Sequence, residues 1–187
     1  MKLEQPLYEV ISTAFGRVVI VWWKSMNGPR VRQTILTKGQ KPVEGLIRKK
    51  YPGARRLACP EITGLGNKIQ SFLNGKAVTF SLEMIALEVC GAFQRKVLLA
   101  EYGIPRGWVS TYGRIARYVG VAGGSRAVGR ALAENPFPII IPCHRAVRAD
   151  GEIGGYQGGG GMKRALLEME GVELTVKGKV FLQKVYY

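Results

Sequence analysis

Pro136-Phe137-Pro138-Ile139-Ile140-Ile141-Pro142-Cys143-His144-Arg145 is the run around which the rest of the chain can be organised. It is too proline-rich for a helix and too continuously apolar for an exposed loop, so the expectation is a segment threading extended through a core. It ends by delivering Cys143-His144-Arg145 from a buried position. Just upstream, Ser110-Thr111 offers a helix N-cap, followed by an apolar face of Ile115, Ala116 and Val119 that ends at Gly120. Val121-Ala122-Gly123-Gly124 is a short turn, Ser125 a second N-cap, and Arg126 to Glu134 a second helix stopped by Asn135-Pro136. Two short helices joined by a glycine-containing turn are the grammar of a helix-turn-helix, although helical hairpins also occur in ordinary cores. Further upstream, Leu87 to Tyr102 places Val89, Cys90, Phe93 and Val97 on one helical stripe, closed by Gly103 and Pro105. Downstream, glycines from Gly151 to Gly161 form a loop around Tyr156. A last helix, Met162 to Glu170, stops at Gly171, and Val180-Phe181-Leu182 reads as a strand-like tail.

The first 80 residues have a different grammar. Tyr8 to Phe15 and Arg17 to Trp23, separated by Gly16, are rich in β-branched and aromatic residues and read as paired strands, with Val31 to Thr37 a third. Pro42 to Tyr51 reads as a basic helix after a Lys41-Pro42 start, and Leu65, Ile69, Phe72 and Leu73 mark an amphipathic helix ending at Gly75. The expected organisation is α/β: a small α/β domain over residues 1–80 and a mostly helical domain with a helix-turn-helix over residues 81–187.

Composition narrows the function classes. With 187 residues, 47% hydrophobic and 22% charged, the chain can build its own core and is not disordered. No stretch approaches the roughly 20 apolar residues of a membrane span, and Met1-Lys2-Leu3-Glu4-Gln5-Pro6 carries no signal-like apolar core. The expectations are no membrane and a cytoplasmic location. Lys and Arg number 28 against 13 Asp and Glu, a net charge of +15, which favours a polyanionic partner. Residues 1–80 hold 14 basic and 4 acidic side chains, residues 95–148 hold 9 and 2, and residues 149–187 hold 5 of each. Cys59, Cys90 and Cys143 are scattered and His144 is the only histidine. That argues against a disulfide framework, although one pair could still form, and against any metal site of usual spacing, so neither metal nor cofactor is expected.

Cys143 beside His144 is the sharpest chemical signal. A thiolate is a strong nucleophile, and burial alone would silence it by raising its pKa. An adjacent imidazole and nearby basic residues would lower that pKa. Neighbours on an extended segment point to opposite sides, so His144 would act through a water. The other reading of Cys143 is a small core residue after an apolar strand.

From about Phe93 to Gly171, one ordered series of motifs resembles the O6-alkylguanine-DNA alkyltransferases, the methylated-DNA–protein-cysteine methyltransferases. It comprises Val109-Ser110-Thr111-Tyr112, Ile115-Ala116, Ser125-Arg126-Ala127-Val128-Gly129, Asn135-Pro136, Ile140-Ile141-Pro142-Cys143-His144-Arg145, Gly155-Tyr156 and Glu170-Gly171. Residues 1–80 show no such motif and match only as the family's small N-terminal domain, which is ribonuclease H-like.

The resemblance implies roles. Cys143 would be the alkyl acceptor, activated through a water and His144 by Glu170. Arg126 would fill the gap left by an extruded nucleotide, with Ser125, Ala127 and Gly129 beside it on a helix in the minor groove. Tyr112 would crowd the target phosphate and donate towards the leaving guanine. Asn135 would be the hinge between that helix and the acceptor segment. Carbonyls of Cys143 and Ala146 would take the guanine amine, Pro138 and Tyr156 would line the alkyl pocket, and Gln157, beside Gly158, would present a backbone N–H to O6. The implied partner is double-stranded DNA containing O6-alkylguanine, with O4-alkylthymine a related substrate, bound by a monomer that flips the nucleotide and acts once. A non-catalytic lesion sensor of the same fold is the alternative, and the +10 of residues 1–80 is expected to add non-specific DNA affinity.

Overall fold

The computed structural model describes residues 5–187 apart from 38, 40 and 41, so Met1 to Glu4 and Lys41, which figured in the expectations above, lie outside the described residues. The chain divides into two compact units, Met1–Val89 and Cys90–Tyr187.

In the first unit, β1 (Leu7–Thr13), β2 (Gly16–Ser25) and β3 (Gly28–Leu36) form an antiparallel meander, and β4 (Arg55–Arg56) adds parallel to β1, giving the order β3-β2-β1-β4. Gly16 is required at the first turn: its φ is +116°, and a Cβ there would lie 2.5 Å from the Thr37 carbonyl oxygen. Alternation along β2 sends Val19, Val21 and Trp23 to one face. They pack with Val43 and with Ile47 of α1 (Glu44–Lys50). Helix α2 (Pro60–Leu73) lies against β1, with Gly66 pressed onto the Ile11 side chain.

The second unit carries α3 (Ala92–Gly103), α4 (Tyr112–Tyr118), α5 (Ser125–Ala133) and α6 (Gly160–Met169), with short strands β5 (Ser110–Thr111) and β6 (Ala146–Val147) paired in parallel. The whole is mixed α/β, with a four-stranded sheet and six α-helices among the described residues. None of those helices is long and apolar enough to cross a membrane. Helix α4 starts because the Thr111 side chain accepts the Arg114 N–H.

Several sequence expectations need correction. The helix expected from Leu87 is broken: Leu87–Val89 is one 3-10 turn, extended Gly91 caps α3, and Val89 is exposed rather than on a buried stripe. Ser125 is not a cap but the first residue of α5, after Gly124. The run 136–142 is buried but not extended. Its Ile141 N–H donates to Phe137 O at 2.8 Å, and Ile139 has φ +76°, a costly conformation for a β-branched side chain. Cys143 and His144 do not alternate across a strand but sit in a 3-10 turn, Cys143–Arg145. The tail at 180–182 is not a strand; it makes single bridges and bonds, such as Phe181 N–H to Glu173 O at 3.0 Å.

Candidate active site

The turn before Cys143 is held by one amide. The buried Asn135 side chain accepts the Phe137 N–H at 2.9 Å through Oδ1 and donates to Ile141 O at 3.1 Å through Nδ2. Both ends of the strained turn are therefore fixed by the residue that follows α5, and the turn presents Cys143 at 5% exposure. Burial, outweighing the Asn135 hydrogen bond, pushes the Cys143 thiol up to about 12. At rest the sulfur is a protonated thiol, contrary to the expectation that its neighbours lower its pKa.

The two residues that follow Cys143 share one buried carboxylate. His144 Nε2 meets Glu170 Oε1 at 3.0 Å, and both side chains are fully buried. Arg145 grips the same carboxylate with two bonds, Nε to Oε2 and Nη2 to Oε1, each 2.8 Å, and spends Nη1 on Ile104 O at 2.5 Å. Burial raises the Glu170 carboxyl, but the hydrogen bonds and charges of His144 and Arg145 win and bring it to about 2. His144 goes down, because desolvation of the imidazolium exceeds the pull of Glu170. A neutral imidazole giving its Nε2 proton to an ionised carboxylate carries its lone pair on Nδ1, which makes it a base.

Cys143 opens on a cavity of about 430 Å³, lined also by Tyr112, Arg148, Gly154, Gly155, Tyr156 and Gln157 and by the Gly129–Ala133 side of α5. Glycine at 154 makes room for Tyr112: a Cβ there would come within 2.8 Å of its hydroxyl. Burial first, then the Glu101 and Cys143 charges, push that phenol up to about 12, so Tyr112 is a proton donor at neutral pH. Gln157 ties the cavity loop to the end of α5, its amide donating to Ala133 O at 3.0 Å and Asn135 O at 2.7 Å.

The structure thus gathers Tyr112, Cys143, Tyr156 and Gln157 round one cavity, pairs His144, the residue after Cys143, with Glu170, and puts Asn135 under the turn. Arg126 and Ala127 are exposed at the start of α5, beside half-buried Ser125, and Gly129 borders the Tyr112 ring. Pro138, Ala146 and Gly158 do not line the cavity. Pro138 is buried in the strained turn, Ala146 is buried in β6, and Gly158 is packed under Tyr156 and Met162. Sequence reasoning missed Arg148 on the cavity wall, Arg145 as the second grip on Glu170, and the buried pair Glu101 and Lys163. An acid and a lysine on otherwise apolar helix faces were the available signal for that pair.

Residues 92–172 match the family model of the 6-O-methylguanine DNA methyltransferase DNA-binding domain. The methylated-DNA–protein-cysteine methyltransferase of Mycobacterium tuberculosis (strain ATCC 25618 / H37Rv) is 37% identical over 129 residues, 67% of this chain and 76% of the relative. The chain belongs to this family. The Methanothermobacter thermautotrophicus methyltransferase is 47% identical over 113 residues, 60% of this chain; the match spans 63% of that relative's length. Among solved structures, the Mycobacterium tuberculosis O6-methylguanine methyltransferase superposes with a TM-score of 0.67 at 30% identity, over 89% of this chain and 93% of that one. The same organism's OGT in complex with DNA gives 0.68 at 28% identity, over 88% and 93%.

Proposed function

We propose that this family member repairs duplex DNA directly, moving a methyl or other alkyl group from guanine O6, or from thymine O4, to Cys143. The observation that carries the reading is the buried thiol on an open cavity, backed by the neutral His144 base and the Glu170–Arg145 pair. The Cys143 proton passes through a water to His144 Nδ1, and the sulfur forms a bond to the alkyl carbon as the carbon–O6 bond breaks. Its electrons stay on guanine, and Tyr112 donates a proton towards the departing base. The thioether product has no route back to the thiol, so each molecule acts once.

The lesion must leave the stack to reach this cavity, at a cost of a few kcal/mol. We read α4, the turn after it and α5 as a helix-turn-helix with α5 in the minor groove, where Arg126 occupies the space left by the base. Phosphate contacts supply affinity without reading sequence, and the exposed Arg48, Lys49 and Lys50 of the first unit add to them. The order β3-β2-β1-β4 with a parallel β1–β4 pair supports a ribonuclease H-like first unit. The working form is a monomer acting in the cytoplasm, where the DNA is. Of the guanine-amine acceptors, Ala146 O lies off the cavity and takes the Lys163 ammonium at 2.6 Å, so the reading relies on the Cys143 carbonyl.

The deciding experiment incubates the protein with a duplex holding one O6-methylguanine and measures intact and peptide mass. One methyl on the Cys143 peptide, saturating at one per protein and absent in Cys143→Ala, is the expected result. Tight, lesion-preferring binding without added mass would leave a lesion sensor instead.

A further inference from the structure

Arg148 has no part in the transfer just described, yet it stands on the wall of the same cavity. Among the described residues it is the one Lys or Arg that lines that cavity, and no Asp or Glu joins it there. Its side chain is exposed and makes no hydrogen bond or ion pair with any described residue. The neighbouring cations are engaged elsewhere. Arg145 holds Glu170 and the Ile104 carbonyl, and Lys163 donates to Ala146 O at 2.6 Å and to Gly155 O at 3.3 Å.

The backbone that carries Arg148 is fixed. Its N–H donates to Glu152 O at 2.9 Å, and its carbonyl accepts the Gly151 N–H at 3.1 Å, which closes a turn. Gly151 is required there: its φ is +81°, and a Cβ would lie 2.7 Å from Val180 O. The Val180 N–H donates to Gly151 O at 2.8 Å, so the tail braces the turn. Both acids of this segment have other partners. Asp150 Oδ1 accepts the Glu152 N–H at 3.1 Å, and Glu152 Oε1 pairs with Lys179 Nζ at 3.3 Å. Burial raises the Tyr112 phenol on the same wall, and of the charges that act on it Arg148 alone pulls the other way. A guanidinium has five donors and no acceptor, so it cannot take the guanine amine. A nucleotide whose base carries only a methyl lesion brings one kind of anion, its backbone phosphate, which guanidinium matches in charge and geometry.

We propose that Arg148 is a binding residue for the extruded nucleotide, donating to a phosphate that flanks it once its base has entered the cavity beside Cys143 and Tyr112. The inference rests on the alkyl-acceptor reading of Cys143. The contact forms only after extrusion, so it favours the reactive complex over the first encounter with the duplex.

Single-turnover methyl transfer from a duplex holding one O6-methylguanine, with the full chain in excess, tests this. Arg148→Ala removes an exposed side chain without a partner and should fold as wild type does. At saturating protein its transfer rate should fall about tenfold, the effect of losing one charge-assisted hydrogen bond, while its Kd for an unmodified duplex stays within about twofold of wild type. Arg148→Lys, which keeps the charge, should recover most of the rate. Replacing the phosphate on either side of the lesion, one at a time, by an uncharged methylphosphonate identifies the partner. One of the two replacements should slow wild type about tenfold but Arg148→Ala less than about twofold, because the variant has already lost the contact. A wild-type rate in Arg148→Ala, an affinity loss as large as the rate loss, or equal slowing of both proteins at both phosphates would overturn the proposal. If the wild-type chain takes up no methyl group the acceptor reading itself fails; if it does and the two losses simply add, the role of Arg148 alone fails.

Discussion

Replacing Glu170 by glutamine removes the anion that His144 and Arg145 share while keeping the shape of the side chain. The displacement of the carboxyl from 4.5 to about 2, at about 1.4 kcal/mol per unit, is worth about 3 kcal/mol of stability at neutral pH. The folded-state pKa is depressed, so this contribution is present above pH 4.5 and is lost as pH falls from 4.5 towards 2. The variant also leaves the Arg145 guanidinium, whose side chain is 10% exposed, without a counter-charge, and breaking such a pair from one side costs about 3–5 kcal/mol. Urea unfolding of wild type and Glu170→Gln between pH 3 and 7 should show a gap of at least about 3 kcal/mol at pH 7 that narrows steadily below pH 4.5. Methyl transfer by the folded variant should be about 10–100-fold slower, because His144 loses the partner that fixes its tautomer and ring. Equal stabilities at pH 7, or a gap unchanged down to pH 3, would refute the argument that Glu170 is held ionised by its two neighbours.

Asn135→Ala orphans the buried Phe137 N–H and takes one of two hydrogen bonds from the Ile141 carbonyl, which keeps the Cys143 N–H at 2.8 Å, so thermal unfolding should show a loss of about 1–3 kcal/mol with the secondary structure intact. Tyr156→Phe removes a buried hydroxyl without a hydrogen-bond partner, so calorimetry should find its stability equal to wild type or raised by about 1 kcal/mol. Arg126→Ala should reduce the salt slope of duplex binding by at most about one yet slow methyl transfer from duplex far more than from single-stranded DNA. An equal effect on both substrates would remove Arg126 from the flipping step.

What the sequence disclosed depended on whether local rules and packing agreed. The first hairpin was legible because Gly16 separates two β-branched runs, and α4 because Thr111 caps it where the apolar period begins. The break at Gly91 was missed, since the apolar spacing of Val89 and Cys90 with Phe93 and Val97 continues across it while the backbone does not. The turn at Ile139 was illegible in a stronger sense. Nothing in three consecutive isoleucines announces a left-handed backbone, which is imposed by Asn135 bonds to both ends. In the candidate site, the motif series singled out Cys143, His144 and Glu170, whereas the burial of Glu101 and Lys163 depends on how α3 and α6 pack into the unit. The thiol's high pKa was likewise beyond a reading of neighbours in sequence, because burial is a property of the whole unit.

The depth of Cys143 bears on time as well as on reactivity. A reagent that is spent in a single event must remain intact during an unbounded wait before it. Small oxidants attack sulfur in proportion to its thiolate fraction and its access to solvent. At 5% exposure and with its proton retained up to about pH 12, this sulfur offers them little of either. In the proposed reaction the cavity mouth would then act as a seal on a stored reagent, opening only to a base swung out of a helix and so preserving the molecule's shelf life.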